Sequence, residues 1–395
     1  MIETSSEKNS VQNSTPPTSP TQLAQLMQQV SGNVLTPQGW VAGSLHFNQR
    51  IGGIQGSAVD PLNNTDNYIL PGFIDLHVHG AGGKDTMEAG DSAQVIARMH
   101  AQHGTTSMLA TTMTAPMSDL VSALEGINHA IEQHLPSMAR VLGVHLEGPY
   151  INPGKLGAQP DYAQKASLND VIKLNAIAPI KLITVAPEIE GHLALINDLT
   201  KLGMKVQLGH TLGTYEEGVA ALEQGASGFT HLFNAMTRMD HRAPGMVGAA
   251  LAHADFSEII PDLLHVHPGA IKAAMRAIPN LYCVTDSTAA SGMPDGNYML
   301  GRQQVHKCQG GVRLADGTLA GSTLTMDQAL RNLVSIGLDL ADASKRVSTF
   351  AADYLGLTDR GRLQAHAYAD FVVLDRDLNL IAVYVEGEKI DLIDA

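Results

Sequence analysis

The sequence predicts a (β/α)₈ barrel joined to a small β-sandwich domain that is built from both ends of the chain. Short apolar runs alternate with helical patterns over residues 69–365, and strand-like pieces of similar texture occupy residues 21–68 and 366–395. Such alternation is typical of parallel α/β folds. A doubly wound open sheet is the alternative, but no Gly-x-Gly-x-x-Gly motif follows the first barrel strand.

Composition and charge restrict the possible functions. The chain has 395 residues with 44% hydrophobic and 16% charged residues, which indicates a globular protein and not a disordered one. No apolar run approaches the ~20 residues that span a bilayer. The net charge of −14 argues against nucleic acid or an anionic membrane as partner. With only two cysteines and no signal-peptide pattern, we expect a cytoplasmic protein.

The two ends of the chain differ from its centre. Residues 1–20 are rich in Ser, Thr, Asn, Gln and Pro without periodicity, and they are predicted to form a disordered tail. Short alternating pieces lie between about residue 33 and residue 68, and similar pieces lie at 369–375 and 380–387. We expect these pieces to pair with each other beside the central domain.

Eight candidate strands alternate with helical stretches in the central domain. They are residues 69–78, 104–110, 140–146, 179–185, 204–209, 227–231, 256–260 and 281–285. Helical periodicity lies between most of them, for example at 92–102 and 215–224. Residues 287–321 form a glycine-rich excursion after the eighth strand, which we interpret as a hairpin.

Acidic and imidazole side chains follow the apolar runs of five of these strands. They are His77 and His79 after strand one, Glu147 after strand three, His210 after strand five, His231 after strand six and Asp286 after strand eight. The chemistry of barrel enzymes sits at the carboxyl ends of the strands, so we expect these six side chains to meet at one rim. His77 and His79 are two residues apart, which directs both to the same side of a strand.

A His, Glu and Asp set without cysteine suits a divalent ion such as Zn²⁺, Fe²⁺ or Co²⁺. A bound ion lowers the pKa of water and polarises a carbonyl, and a free carboxylate can then take and return a proton. We assign that last role to Asp286. The set predicts metal-assisted hydrolysis of an amide or an ester.

Each of these residues also has an ordinary structural explanation. Glu147 could cap a turn, His210 could be a satisfied core histidine, and Asp286 before Ser287 could cap a helix. These explanations become improbable together, since all six residues would have to fall on the same rim by chance.

A second polar cluster follows His231. It contains the Asn234 amide, the Ala235 backbone N–H, Arg242 and His265. These groups could hold a phosphate near the metal. The alternative is a surface loop with scattered polar residues, and the residues alone leave both explanations open.

At these positions the sequence resembles the amidohydrolase superfamily, and within it the N-acetylglucosamine-6-phosphate and N-acetylgalactosamine-6-phosphate deacetylases. The motifs that carry the resemblance lie at residues 71–80, 145–150, 209–211, 230–236, 242–245, 284–286 and 321–326. The resemblance implies a barrel with a small β-sandwich, a homodimer, and deacetylation of an N-acetylhexosamine 6-phosphate.

The resemblance also implies a role for each site residue. Glu147, His210 and His231 would hold the principal metal, and His77 and His79 would complete a second position. One or two divalent ions follow, with Zn²⁺ favoured and Fe, Co or Mn as alternatives. Asp286 would be the general acid and base. The fourth strand ends without the lysine that bridges two metals in many relatives, so Glu147 would take that place.

The remaining implied contacts concern the substrate. The residues are Asn234 and Ala235 at the phosphate and sugar, Arg242 reaching the phosphate across the dimer interface, His265 at the substrate, Gln159 at the sugar, and Leu324 and Met326 near the acetyl group.

The chain departs from the family pattern at Gln159, where a histidine is usual, and at Leu263, where a glycine is usual. Both departures lie on the substrate side, and the sequence leans toward N-acetylgalactosamine 6-phosphate, with N-acetylglucosamine 6-phosphate also accepted. The alternatives are a strict N-acetylglucosamine-6-phosphate deacetylase, an amidohydrolase for a non-phosphorylated amide, and an inactive barrel that serves as a scaffold.

Overall fold

The computed structural model describes residues 27–392, and the predicted disordered tail at 1–20 lies outside this range. The strands are β1 (Gln28–Thr36), β2 (Gly39–Phe47), β3 (Ile51–Ala58), β4 (Tyr68–Pro71), β5 (Phe73–Val78), β6 (Gly80–Ala81), β7 (Lys84–Asp85), β8 (Thr105–Thr111), β9 (Arg140–Glu147), β10 (Ile180–Val185), β11 (Lys205–Leu208), β12 (Gly228–Phe229), β13 (Phe256–Ile259), β14 (Asn280–Cys283), β15 (Gly296–Leu300), β16 (Gln303–Cys308), β17 (Gly311–Arg313), β18 (Phe371–Leu374), β19 (Leu380–Val385) and β20 (Glu388–Lys389).

Most of the α-helices follow barrel strands. They are α1 (Ser92–Gln102), α2 (Met117–Glu132), α3 (Leu168–Asn175), α4 (His192–Lys201), α5 (Tyr215–Glu223), α6 (Gly245–His253), α7 (Pro268–Ala277), α8 (Met326–Ser335), α9 (Leu340–Ser344) and α10 (Phe350–Leu355), with a π-helical turn at Lys345–Thr349. No helix between residues 27 and 392 combines the length and the apolar character needed to cross a lipid bilayer.

Eight strands form the predicted (β/α)₈ barrel. Six of them form one parallel sheet in the order β12-β11-β10-β9-β8-β5, and β13 and β14 pair in parallel beside it. Leu232 N–H donates to Glu258 O at 2.9 Å, which joins the β12 end to β13. A parallel bridge between Val78 and Ser287 joins the β14 end back to β5. The ring is thereby closed, and the carboxyl ends of its strands surround one mouth.

Both ends of the chain contribute to a separate seven-stranded sheet. Its order is β20-β19-β18-β4-β1-β2-β3, so the C-terminal strand β18 pairs with the N-terminal strand β4. The buried face of this sheet has its own apolar core, in which Phe47, Phe371 and Tyr384 pack as an aromatic cluster. The expected pairing of the two chain ends is therefore present.

The first predicted strand, at residues 69–78, is divided between the two units. β4 belongs to the terminal sheet, whereas β5 is the first barrel strand. Gly72 lies between them, where a Cβ atom would come within 2.3 Å of the Thr106 side chain. The close approach of the Thr106 side chain to the backbone at this joint favours a residue without a side chain.

The glycine-rich excursion after β14 folds as a three-stranded antiparallel sheet of β15, β16 and β17, which we call the flap. The flap has a small apolar core that includes Leu300 and Val305. Its β15–β16 turn is attached to the barrel, since Gly301 N–H donates to Asp85 at 2.9 Å and Arg302 pairs with Asp119 at 2.7 Å. These contacts hold the flap beside the barrel mouth.

Candidate active site

All six predicted metal and acid-base residues lie at the carboxyl ends of barrel strands. They are His77 and His79 at β5, Glu147 at the last position of β9, His210 after β11, His231 after β12 and Asp286 after β14. His210, His231 and Asp286 have positive φ values of 49°, 29° and 49°. Such backbone strain in residues other than glycine clusters at functional sites.

The Glu147 carboxylate lies between two pairs of imidazoles. Its Oε1 is 3.1 Å from Nε2 of both His210 and His231, and these two nitrogens are 3.0 Å apart. Its Oε2 is 3.0 Å from His79 Nε2 and 3.4 Å from His77 Nε2, and these nitrogens are 3.1 Å apart. Each carboxylate oxygen therefore faces a different pair.

Asp286 faces the second imidazole pair, which consists of His77 and His79. Its Oδ1 is 3.4 Å from Nε2 of both His77 and His79. Burial alone would raise the pKa of Asp286, but the neighbouring imidazoles outweigh burial and lower this pKa to about 2. The carboxylate is therefore ionised across the neutral pH range, as a general base must be.

The first imidazole pair, which consists of His210 and His231, has donor atoms that fit a divalent ion. His210 Nδ1 is 2.8 Å from the Lys155 carbonyl oxygen, so Nδ1 donates to this carbonyl and Nε2 is the ring nitrogen directed at the site. That nitrogen meets His231 Nε2 and the Glu147 oxygen within 3.1 Å. Three ligand atoms this close together can share one cation, and imidazole with carboxylate is a donor set that zinc and similar ions accept.

The second pair has comparable electrostatics. Burial alone would lower the pKa of His79, but Asp286 and Glu147 raise it to about 9. His231 responds in the same way, because its contact with Glu147 raises its pKa against the effect of burial. The His79 imidazole therefore holds a proton at neutral pH, which a bound metal ion would displace.

Glu258 contacts the outer ring nitrogen of His77, and it was not among the residues predicted for the site. Its Oε1 is 2.6 Å from His77 Nδ1 and accepts the His231 backbone N–H at 2.9 Å. A carboxylate in this place fixes the orientation of a ligand imidazole. The only signal in the sequence is an acidic residue within the seventh predicted strand, where a fully buried position is expected.

His145 also lies near His77 and Glu258, but both of its ring nitrogens have other partners. Nδ1 is 3.1 Å from the Leu76 carbonyl and Nε2 is 2.8 Å from the Thr184 hydroxyl. Burial holds its pKa well below the usual value. His145 is therefore a neutral histidine of the barrel interior.

A cavity of about 370 Å³ opens above the Glu147 carboxylate. The predicted site residues that line it are His79, Glu147, Gln159, His210, His231, Asn234, Ala235, His265 and Asp286. His77 lies in the floor and is fully buried. Lys155 and the flap residues Leu300, Thr318 and Leu319 also line the cavity and were not expected from the sequence.

The polar end of the cavity is held by loop contacts. Asp262 accepts the His265 N–H at 2.8 Å, and its other oxygen is 2.6 Å from His265 Nδ1. Leu263 has φ of 64°, so the backbone keeps the left-handed conformation that favours glycine despite the leucine. The Ala235 N–H has no hydrogen-bond partner among residues 27–392, which leaves it available to a ligand.

Three residues expected at the substrate lie outside this cavity. Arg242 is exposed and lines a different depression. Leu324 and Met326 are buried in the main apolar core, with 6% and 0% of their surfaces exposed. The cavity wall is formed instead by Leu319 and neighbouring residues of the same segment.

Gln159 is in the cavity wall, but its amide is turned toward Glu147. Gln159 Nε2 donates to Glu147 Oε2 at 2.6 Å, and Thr114 N–H donates to Gln159 Oε1 at 2.7 Å. Both ends of the amide are therefore engaged by the protein, which the sequence did not indicate.

Comparisons with known proteins agree with this geometry. Residues 68–390 match the model of the amidohydrolase family. The chain is 40% identical over 337 residues to an N-acetylglucosamine-6-phosphate deacetylase of Lysinibacillus sphaericus (83% of this chain, 86% of the relative). It is 36% identical over 368 residues to an N-acetylgalactosamine-6-phosphate deacetylase of Escherichia coli O157:H7 (90% and 97%).

A solved structure is also similar. A mutant N-acetyl-D-glucosamine-6-phosphate deacetylase of Mycobacterium smegmatis, in complex with N-acetyl-D-glucosamine-6-phosphate, superposes with a TM-score of 0.85 at 32% identity. The match covers 92% of this chain and 99% of that chain. The similarity therefore extends over both the barrel and the terminal sheet.

Proposed function

Because the chain belongs to the amidohydrolase family, we propose that it deacetylates an N-acetylhexosamine 6-phosphate and releases acetate and the amino sugar 6-phosphate. The observation that carries this proposal is the Glu147 carboxylate between two imidazole pairs, with Asp286 beside them and a cavity above. The names of the relatives, which include deacetylases for both sugars, support the substrate class.

The metal would be held by this chain's own residues. Glu147, His210 and His231 would hold one ion. His77 and His79 would hold a second with Glu147 Oε2, which lies within 3.4 Å of both Nε2 atoms, and Asp286 lies beside this position. A bound divalent ion supplies Lewis-acid polarisation of the amide carbonyl and lowers the pKa of water. We propose Zn²⁺, with Fe, Co or Mn as the alternatives that metal analysis after chelator-free purification would distinguish.

Asp286 would move the proton. Its ionised carboxylate accepts a proton as water attacks the carbonyl carbon, and then returns it to the nitrogen as the C–N bond breaks. The water oxygen and hydroxyl hydrogen leave in acetic acid, and the second hydrogen stays on the amine.

The phosphate would lie at the polar end of the cavity. The Asn234 amide, the Ala235 N–H and His265 line this end. Since Arg242 is exposed and outside the cavity, we propose that it reaches the phosphate of a neighbouring subunit in a homodimer.

We further propose a cytoplasmic location, which the unpaired state of Cys283 and Cys308 supports.

Replacing Arg242 with alanine should raise KM for the phosphorylated sugar by roughly 10- to 100-fold and change kcat little, because a charged hydrogen bond to phosphate is lost. Steady-state acetate release measures this. The matched control is Arg238→Ala, which removes an exposed arginine nearby in the same depression. An unchanged KM in the Arg242 variant would remove Arg242 from the phosphate site.

The decisive test compares kcat/KM for N-acetylgalactosamine 6-phosphate and N-acetylglucosamine 6-phosphate. We expect release from both, with a modest preference for the galacto sugar, and release at least ~10³-fold slower from unphosphorylated N-acetylglucosamine, since its phosphate contacts are missing. Equal turnover of the unphosphorylated sugar would favour an amidohydrolase of another substrate class. A strong gluco preference would instead identify a strict N-acetylglucosamine-6-phosphate deacetylase.

A further inference from the structure

We propose that Gln159 is a positioning residue for Glu147, and that it sets the affinity of the second metal position formed with His77 and His79. This proposal deepens the metal-dependent hydrolysis proposed above and rests on it. It assigns to Gln159 a role in the metal centre, in place of the sugar contact that the resemblance implies.

The orientation of the Gln159 amide is defined by its two partners. The Thr114 backbone N–H is a donor and must meet the amide oxygen, which lies 2.7 Å away. The NH₂ group then points to Glu147 Oε2 at 2.6 Å. Gln159 is 4% exposed, so it exchanges neither partner freely with water. The amide therefore connects the loop after β8 to the carboxylate at the centre of the site.

This contact distinguishes the two carboxylate oxygens. Oε1 receives the His210 and His231 pair, whereas Oε2 faces His79 and His77 and receives the Gln159 donor. The terminal torsion of a glutamate is broad, so the carboxylate plane depends on outside partners. A carboxylate oxygen accepts more than one contact, and the Gln159 donor leaves room on Oε2 for an ion.

The loop that carries Gln159 makes two further hydrogen bonds. Gln159 N–H donates to the Leu156 carbonyl at 2.9 Å, and Gln303 of the flap donates to the Ala158 carbonyl at 3.1 Å. The same loop provides the Lys155 carbonyl that orients His210. The loop thus touches both halves of the site, but only Gln159 contacts the oxygen that faces the second half.

The neutrality of the amide suits this position. An amide donates to Oε2 at every pH and never carries charge. An imidazole in its place could take up a proton and would then repel a cation held by the same carboxylate. Loss of the Gln159 donor should make the position of Glu147 Oε2 less fixed. Glu147 Oε1 would keep its contacts with His210 and His231.

The test is a metal titration of the full chain. Wild type, Gln159→Met and Gln159→Asn are stripped with a chelator and titrated with Zn²⁺ by calorimetry, and bound zinc is counted by mass spectrometry. Methionine fills the volume without a donor, and asparagine is too short to reach both partners. We expect two ions in the wild type, and in both variants an unchanged first affinity with a second affinity ~10- to 100-fold weaker.

Gln303→Met is the matched control, because it removes an amide that contacts one backbone carbonyl of the same loop and touches neither Glu147 nor the Gln159 side chain. It should bind both ions as the wild type does. The proposal would be overturned if the Gln159 variants bound both ions with wild-type affinity, or if they bound both ions equally weakly. It would also be overturned if the wild type bound a single ion. Asparagine keeps a polar side chain if the methionine variant fails to fold. The titration needs no substrate, so a failure of the proposed deacetylation would appear separately, as absent acetate release.

Discussion

Replacing Asp286 with asparagine is expected to lower kcat by ~10² to 10⁴-fold while metal content and substrate binding stay near those of the wild type. Asparagine keeps the shape of the side chain but can neither accept the proton from water nor return it to the amine. Asp286 Oδ1 lies 3.4 Å from Nε2 of both His77 and His79, so it is placed beside the proposed metal position. Acetate release, zinc content and binding of the sugar phosphate to the variant check the three parts of this expectation.

Asp327→Asn is the matched control. Asp327 is as buried as Asp286, with 7% of its surface exposed, but it pairs with Arg331 at the start of α8. Its variant should lose some stability and keep its turnover. If the Asp286 variant retained near-normal kcat, Asp286 could not be the proton carrier, and the acid-base role would have to move to another group in the cavity.

The second large effect is expected for Glu147→Gln, which should reduce bound metal by at least ~100-fold in affinity and abolish measurable turnover. The carboxylate meets both imidazole pairs within 3.4 Å, one pair at each oxygen. An amide removes the negative charge and replaces one acceptor by an NH₂ group that faces imidazole nitrogens. Both metal positions should therefore lose affinity for the ion together.

His79→Ala provides the comparison, since it removes a ligand from the second half only. This variant should keep the ion held by His210 and His231, and its zinc content should fall from two to one per chain. The rise of the melting temperature on adding zinc should disappear in the Glu147 variant and survive in the His79 variant. Full zinc content in the Glu147 variant would remove Glu147 from the metal centre.

Much of the fold and the metal centre was predictable from local pattern. Eight apolar runs separated by helical periodicity predicted the barrel strands to within a few residues, because strand and helix periods are local properties of the chain. Placement of the His, Glu and Asp side chains followed from one topological rule. The carboxyl ends of parallel barrel strands meet at one rim, so residues far apart in sequence converge there.

Other features required the tertiary structure. The 69–78 run reads as one strand, but contacts with Thr106 and β18 divide it at Gly72. The flap was predicted as a hairpin, whereas its place at the cavity depends on contacts with Asp85 and Asp119. Leu324 and Met326 match a motif, yet they pack into the core. Motif matching gives position along the chain and not the direction of a side chain.

The sequence by itself determined the architecture, the six residues at the barrel rim and the class of chemistry, because these depend on strand periods and on residue type. Only the tertiary structure decided which oxygen of Glu147 faces which imidazole pair, and that Glu258 supports His77 from 181 positions away. It also decided that Gln159 faces Glu147. These contacts depend on side-chain rotamers chosen by packing between distant segments, and no local pattern encodes them.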